Sequence, residues 1–246
     1  MEASGGRVAL ITGASRGIGK ATAEQLSLEG YRVVLVARDR GALEEVAEAL
    51  PGPALVVASD VTDPRRVEEV FATTEQEWGP VEVLVANAGA ATAAALVDTT
   101  DEDWQQILDL NLTAPFRCIR RALPPMLDRG WGRIVVVASV ASKHGESMIS
   151  AYTASKHGIC GLTKNAAVEY ANENIRVNAV CPGAIMTPLM YRETPERQEQ
   201  ILRPQAMSRF GDPREVAAAV VWLSSDDASF VTGVEMPVDA GSVAGW

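Results

Sequence analysis

The chain carries little that would suit a metal, an oxidising compartment or a polyanionic partner. It has 2 histidines in 246 residues, and its 3 cysteines (Cys118, Cys160, Cys181) lie far apart without C-x-x-C spacing. A metal site is therefore not expected, and the three read as buried thiols in a reducing compartment. Cations are in short supply, with 22 Lys and Arg against 32 Asp and Glu for a net charge of -10. That field disfavours nucleic acid, so an anionic ligand would need local cations and backbone amides to override it. No apolar run reaches the roughly 18–20 residues that span a bilayer. The first six residues, Met1 to Gly6, have no basic flank and no long apolar segment, so no signal peptide is expected. There is no internal repeat, low-complexity tract or linker. A cytoplasmic protein with no membrane or nucleic-acid partner is expected.

What is present is an ordinary globular composition, 47% apolar, with apolar runs alternating with helical patterns. Strands are predicted at Arg7 to Ile11, Val33 to Val36, Ala54 to Ala58, Val81 to Ala86, Ile134 to Ala138, Ile175 to Val180 and Val231 to Val238. Helical stretches fall at Lys20 to Leu28, Gly41 to Leu50, Asp63 to Trp78, Glu102 to Asp128 and Ala151 to Tyr170, with a further start at Asp212-Pro213-Arg214-Glu215. This alternation implies an α/β fold, a doubly wound parallel sheet of Rossmann type with helices on both faces, as one domain over 1–246. Leu189 to Met207 has no strong periodicity, and the segment 186–210 is read as a flap over a substrate, with a surface helix pair as the alternative.

The first strand runs into Thr12-Gly13-Ala14-Ser15-Arg16-Gly17-Ile18-Gly19 and then a helix. Strand, glycine turn and helix set backbone N–H groups and a helix N-terminus against a phosphate. Gly13 allows the turn, Gly17 lets a pyrophosphate approach, and Gly19 lets the helix pack closely. The same residues also fit G-x-S-x-G, a nucleophile elbow. Only a dozen residues precede Ser15, which leaves no room for the strand and oxyanion loop that chemistry requires. At the tip of the second strand stand Ala37 and Arg38-Asp39-Arg40. Arg38 and Arg16 could clamp a 2′-phosphate, while Asp39 reads as a helix N-cap that competes as a ribose acceptor. NADP(H) is favoured over NAD(H). Asp60, next to Val61, could accept from an adenine amino group or order its own loop. Asn87-Ala88-Gly89 would let a cofactor lie across the fourth strand's end, with Asn87 tying strands together. Pro115 removes the N–H that would bond the Asn111 carbonyl, so Asn111 marks a kink and a candidate water site.

Tyr152 and Lys156, four apart on a helix, project from one face. An unperturbed phenol titrates near ~10. A fixed cation about 5–6 Å away, at an effective dielectric near ~20, supplies roughly 3 kcal/mol toward the anion. Lys156 is therefore expected to lower the Tyr152 pKa. Ser139 closes an apolar strand, at the end where open α/β sheets bind ligands.

Taken jointly, Thr12-Gly13-x-x-x-Gly17-x-Gly19, Asp60, Asn87-Ala88-Gly89, Asn111, Ser139, Tyr152-x-x-x-Lys156 and Pro182-Gly183-x-x-x-Thr187 resemble the short-chain dehydrogenase/reductase family over nearly the whole chain. The resemblance implies an oxidoreductase interconverting a ketone and a secondary alcohol. In that reading Tyr152 is the acid or base, Ser139 orients the substrate oxygen, and Lys156 tunes Tyr152 and holds the nicotinamide ribose. Asn111 would retain a water on a proton path, and Ile185 and Thr187 would face the nicotinamide carboxamide. It also implies a homotetramer or homodimer through the long helices around Asn111 and Tyr152. The small-molecule substrate would meet Ala90 to Ala94, Val140 to Ile149 and Met186 to Met190, with His144 and Glu146 as polar contacts. An NAD-dependent alcohol or hydroxyacyl dehydrogenase, and a polyketide or 3-oxoacyl-thioester ketoreductase, are the alternatives within the family. The loop Ser142-Lys143-His144-Gly145 departs from the apolar, glycine-containing loop common in acyl-carrier-protein reductases and is similar to loops of polyketide-type ketoreductases.

Overall fold

A computed structural model describes residues 6–188, 190–192 and 194–245. The first five residues of the terminus discussed above lie outside that description, as do Leu189 and Glu193 of the expected flap. Seven strands form one parallel sheet: β1 (Val8–Thr12), β2 (Arg32–Ala37), β3 (Ala54–Ala58), β4 (Val83–Ala86), β5 (Gly132–Val137), β6 (Ile175–Pro182) and β7 (Glu235–Val238). Their order is β3-β2-β1-β4-β5-β6-β7. Chain direction across the sheet reverses between β1 and β4, and this reversal opens a crevice at the carboxyl ends of those strands.

Alternate residues of each strand feed two cores, because successive side chains point to opposite faces. Val8, Leu10, Val34, Val36, Leu84 and Ile134 pack on one face with Phe71, Ile119 and Ile159. Those three belong to α3 (Pro64–Trp78), α5 (Ala114–Arg129) and α6 (Ser150–Tyr170). Ala9, Ile11, Val33, Leu35 and Val83 pack on the other face with Leu26, Leu43 and Val220. These come from α1 (Gly17–Leu28), α2 (Arg40–Ala49) and α8 (Pro213–Leu223). The near-continuous apolar strands are thus explained by burial on both sides.

Three expected boundaries moved, each for a local reason. The long helix breaks into α4 (Asp101–Leu108), a π-helical turn over Asp109–Thr113 and α5. Pro115 cannot return an N–H to the Asn111 carbonyl, and a widened turn accommodates the lost bond. The last strand begins only at Glu235. Before it, the Val231 carbonyl and Val234 N–H are satisfied by the Asn178 side chain rather than by a ladder. The expected flap carries a 3-10 turn, Met190–Arg192, and a helix, α7 (Pro195–Leu202), capped by Thr194.

Candidate active site

The glycine turn is shaped by what crowds it. Gly13 has φ +68°, and a β-carbon there would stand 2.8 Å from Asn87 Nδ2 and 2.9 Å from the Ala88 Cα. At Gly19 a β-carbon would lie 2.2 Å from the Gly13 carbonyl oxygen. Only hydrogen fits, so α1 seats tightly on the turn. Asn87 explains the crowding. Its amide donates to the Thr12 and Gly13 carbonyls at 2.9 and 3.2 Å. The Thr12 hydroxyl in turn accepts from the Asn87 and Ala88 N–H groups, each at 3.0 Å. These bonds pin the ends of β1 and β4 across the crevice, as expected of Asn87. Thr12 was read only as part of the glycine motif; its role needs the parallel neighbour, which a single strand does not reveal.

The N-terminus of α1 keeps its donors open. Its N-cap, Arg16, makes no side-chain capping bond, and the first turn holds no acidic residue. Ser15, Ile18 and Gly17 surround that end, and Thr187 Cγ2 lies 3.4 Å from where a Gly17 β-carbon would be. Arg16 and Arg38 are both exposed, and neither forms an ion pair among the described residues. Asp39, in contrast, is committed: its side chain accepts from the Ala42 N–H at 3.1 Å and caps α2. Asp60 also serves its own loop, accepting from the Thr62 N–H at 3.0 Å and the Thr62 hydroxyl at 2.8 Å. Those bonds, the backbone one first, hold its carboxyl below the usual range, and nearby Arg38 adds to the effect. Val61 beside it is buried in the core.

Ser139, Tyr152, Lys156 and Asn111 converge where β5, α6 and the π turn meet. Ser139 caps a 3-10 turn, Val140–Ser142, through Oγ, which accepts from the Ala141 N–H at 3.1 Å. The same hydroxyl lies near enough to the Tyr152 phenol to favour its ionised form. Lys156 is 4% exposed and donates to the Val137 carbonyl at 2.8 Å. Its Nζ stands 5.5 Å from the Tyr152 ring centroid. Asn111 Nδ2 donates to the Ala90 carbonyl at 2.8 Å and to Ser155 Oγ at 3.1 Å, while Oδ1 accepts from the Ala90 N–H at 3.0 Å. Ser155 Oγ donates onward to the Tyr152 carbonyl at 2.7 Å. Asn111 therefore staples the loop after β4 to the turn that carries the tyrosine.

One electrostatic expectation is overturned. The Tyr152 pKa is raised, not lowered: burial dominates, the neighbouring Ser139 hydroxyl opposes it, and the charges of Glu146 and Cys181 add to it. Burial also pushes Lys156 down to about 8. The Coulomb attraction inferred from the i, i+4 spacing neglects that both groups leave water together, and desolvation disfavours each charged form.

The far wall is built from the end of β6. Gly183 lies against Asp239, where a β-carbon would come within 2.8 Å of the Asp239 Cα. Pro182, the last residue of β6, is buried. The Ile185 side chain is 7% exposed and packs into the core, so it presents no side chain to an opening. The Thr187 carbonyl accepts from the Met190 N–H at 2.9 Å and anchors the start of the flap. A buried residue that the sequence did not flag, Gln205, clasps this wall: Oε1 accepts from the Ala184 N–H at 3.0 Å and Nε2 donates to the Arg209 carbonyl at 2.7 Å. No composition or spacing signal distinguishes it from its exposed neighbours. The two expected substrate loops are zipped together, with the Ala94 N–H donating to the Met148 carbonyl at 2.8 Å. Met148 itself is held at φ +71°, a strained backbone for a non-glycine residue. Glu146 is exposed, and its charge reaches Tyr152.

The family model described as enoyl-(acyl carrier protein) reductase matches residues 13–242. The chain is 39% identical over 241 residues to 3-oxoacyl-(acyl-carrier-protein) reductase FabG of Thermotoga maritima, covering 97% of this chain and 98% of that one. It is 36% identical over 255 residues to D-beta-hydroxybutyrate dehydrogenase of Rhizobium meliloti, covering 97% and 99% of the two chains. The crystal structure of levodione reductase superimposes with a TM-score of 0.93 at 34% identity, covering 98% of each chain.

Proposed function

The chain belongs to the short-chain dehydrogenase/reductase family and is an oxidoreductase acting on CH–OH and C=O groups, and from that premise we propose that it reduces a ketone to a secondary alcohol with NADPH, using Tyr152 as the acid. The observation that carries this reading is the meeting of the Ser139 hydroxyl, the Tyr152 phenol and the buried Lys156 ammonium at one crevice wall.

The residues fit a dinucleotide. Gly13, Gly17 and Gly19 leave a cradle beside the uncapped N-terminus of α1, whose amides suit a pyrophosphate. Arg16 and Arg38 are exposed cations that form no ion pair among the described residues, and Asp39 spends its side chain on α2. This set suits a 2′-phosphate better than a free ribose, which supports NADPH over NADH. Asp60, Val61, Asn87, Ala88 and Gly89 would line the nucleoside side, and Pro182, Gly183, Ile185 and Thr187 the nicotinamide side, with Ile185 acting through its backbone. When bound, the nicotinamide supplies the hydride.

The chain's own residues do the rest. Ser139 and Tyr152 hold the carbonyl oxygen from two donors, and Tyr152 gives its proton to the developing alkoxide. The raised pKa suits a donor, since the phenol keeps its proton at neutral pH. Lys156 holds the ribose, and Asn111 positions the water that returns the proton. The segment 186–210 covers the substrate. Dimers or tetramers through α4, α5 and α6 belong to the same reading, supported by the exposed Trp104, Phe116 and Val168.

A second reading has a specific observation in its favour. The relative from Thermotoga maritima is named for a 3-oxoacyl carrier-protein substrate, so a 3-oxoacyl thioester is the first alternative ketone to test. The experiment is a panel of ketones, secondary alcohols and 3-oxoacyl thioesters followed by nicotinamide absorbance with both cofactors. Tyr152→Phe should abolish turnover while dinucleotide still binds. Full activity in that variant would refute the assignment.

A further inference from the structure

Two thiols that lie far apart in the sequence meet in the fold. Cys160 follows Lys156 by one turn on α6. Cys181 sits at the end of β6, next to Pro182 and Gly183. Their sulfurs and a carboxylate oxygen of Glu235 all lie within 4.8 Å of one another. Such a triangle could suggest a metal, but both Glu235 oxygens are already taken, one by the Lys143 ammonium and one by that of Lys164. A dication would have to displace two cations, so the chemistry left to this cluster is that of the dithiol.

We propose that Cys160 and Cys181 are a covalent modification site, closed to a disulfide by a hydroperoxide, and that closure slows the neighbouring active site. The Cys181 thiolate attacks one peroxide oxygen and the O–O bond breaks. Cysteine sulfenic acid forms, and the other oxygen leaves as hydroxide or alkoxide and takes a proton from water. The Cys160 sulfur then attacks the sulfenic sulfur, expelling hydroxide that takes the Cys160 proton and leaves as water. The two thiols are oxidised by two electrons in all, and the peroxide is reduced by two.

Three features support this assignment. The sulfurs already lie within 4.8 Å of one another, and the Ser142 hydroxyl 3.6 Å from Cys181 Sγ and the Lys143 ammonium favour the Cys181 thiolate, so Cys181 is the attacking sulfur and Cys160 the resolving one. Both sulfurs are buried, but the Glu235 carboxylate beside them pairs with Lys143 and Lys164, whose side chains are 29% and 62% exposed, so the cluster connects to the surface through that ion pair. The pair is also wired to the site. The Ser142 hydroxyl lies 3.6 Å from Cys181 Sγ and 2.7 Å from the Ser139 carbonyl, and the Cys181 charge reaches both Tyr152 and Lys156. Drawing the sulfurs to a bond of about 2.05 Å pulls Cys181 from Ser142 and ties β6 to α6 beside Lys156.

The test treats the reduced full-length protein with hydrogen peroxide, alkylates remaining thiols in denaturant and maps the peptides by mass. Of the three thiols, two should be lost, with the Cys160 and Cys181 peptides joined and two hydrogens lighter. Turnover should fall on the order of tenfold and return with dithiothreitol. Cys160→Ser, or Cys160→Ala if serine impairs folding, should remove both the cross-link and the reversible loss, and Cys118→Ser should change neither. Three alkylated thiols after peroxide, a cross-link through Cys118, or reversible inactivation persisting without Cys160 would overturn the proposal. A formed disulfide with unchanged turnover would overturn its second half. Thiol counting needs no substrate, so its outcome is separable from that of the ketoreductase reading.

Discussion

Replacing Lys156 with methionine should make the protein more stable at neutral pH while removing its turnover. The side chain is buried, and its pKa falls from 10.5 to about 8. Folding therefore strips affinity for a proton: between those values the unfolded chain holds a proton that the folded chain has released. Stability consequently rises with pH across that window, and below about 8 the full penalty is present. At about 1.4 kcal/mol per pH unit the penalty is about 3 kcal/mol. Methionine has a similar length and no charge, but it abandons the Val137 carbonyl, a hydrogen bond worth roughly 1 kcal/mol. The variant should thus gain about 2 kcal/mol at pH 7. Urea unfolding of both proteins, followed by tryptophan fluorescence at equal concentration from pH 7 to pH 10.5, checks this. The gap should shrink above pH 8 and change sign at about pH 10, where the remaining lysine penalty equals the lost hydrogen bond. A gap of constant size, or a variant less stable at pH 7, would refute the reasoning.

Two further predictions concern the cofactor cradle. Gly19→Ala drives a methyl to 2.2 Å from the Gly13 carbonyl; it should cost about 1–3 kcal/mol and abolish dinucleotide binding by calorimetry. Gly161→Ala is the contrast, because nothing lies within 4 Å of its β-carbon on α6; it should add about 0.5–1 kcal/mol of stability and leave binding alone. Arg38→Ala removes a charge-assisted phosphate contact worth roughly 2 kcal/mol, so NADPH affinity should fall about 30-fold and NADH affinity should hardly change. Equal losses would mean that Arg38 does not read the phosphate.

How much could be read without coordinates follows from the range of each interaction. The strands were legible because burial on both faces leaves uninterrupted apolar runs, and the helix starts at Asp39, Asp63 and Asp212 because an N-cap acts within three residues. The glycine turn and the Tyr152–Lys156 pair were legible for the same reason. Contacts made across the fold were not. Asn111 was marked through Pro115, yet its partners Ala90 and Ser155 come from two other segments. Cys160 and Cys181 meet only because α6 lies on β6. Arg133 lies just before the strand predicted from Ile134, yet it belongs to β5 and is 1% exposed, stacked on Trp131 and held by the Ser225 and Asn174 carbonyls. The error over Tyr152 is of the same kind: spacing gives a Coulomb distance, whereas desolvation depends on everything else that surrounds the pair.

That error bears on the direction of the proposed chemistry. The rise at Tyr152 and the fall at Lys156 have one cause, since a dry site favours the neutral form of each. A phenol in that position begins with its proton in place, which is what carbonyl reduction asks of it. Alcohol oxidation asks for the phenolate, and a lysine that is itself giving up its proton near pH 8 is a weak source of compensating charge. A second cation would be needed beside the ring, and an oxidised pyridine nucleotide carries one while a reduced nucleotide does not. The protein's own groups thus lean toward proton donation. Whatever lean there is toward oxidation must arrive with the cofactor, so the two directions should differ in their pH dependence even though they share the same tyrosine.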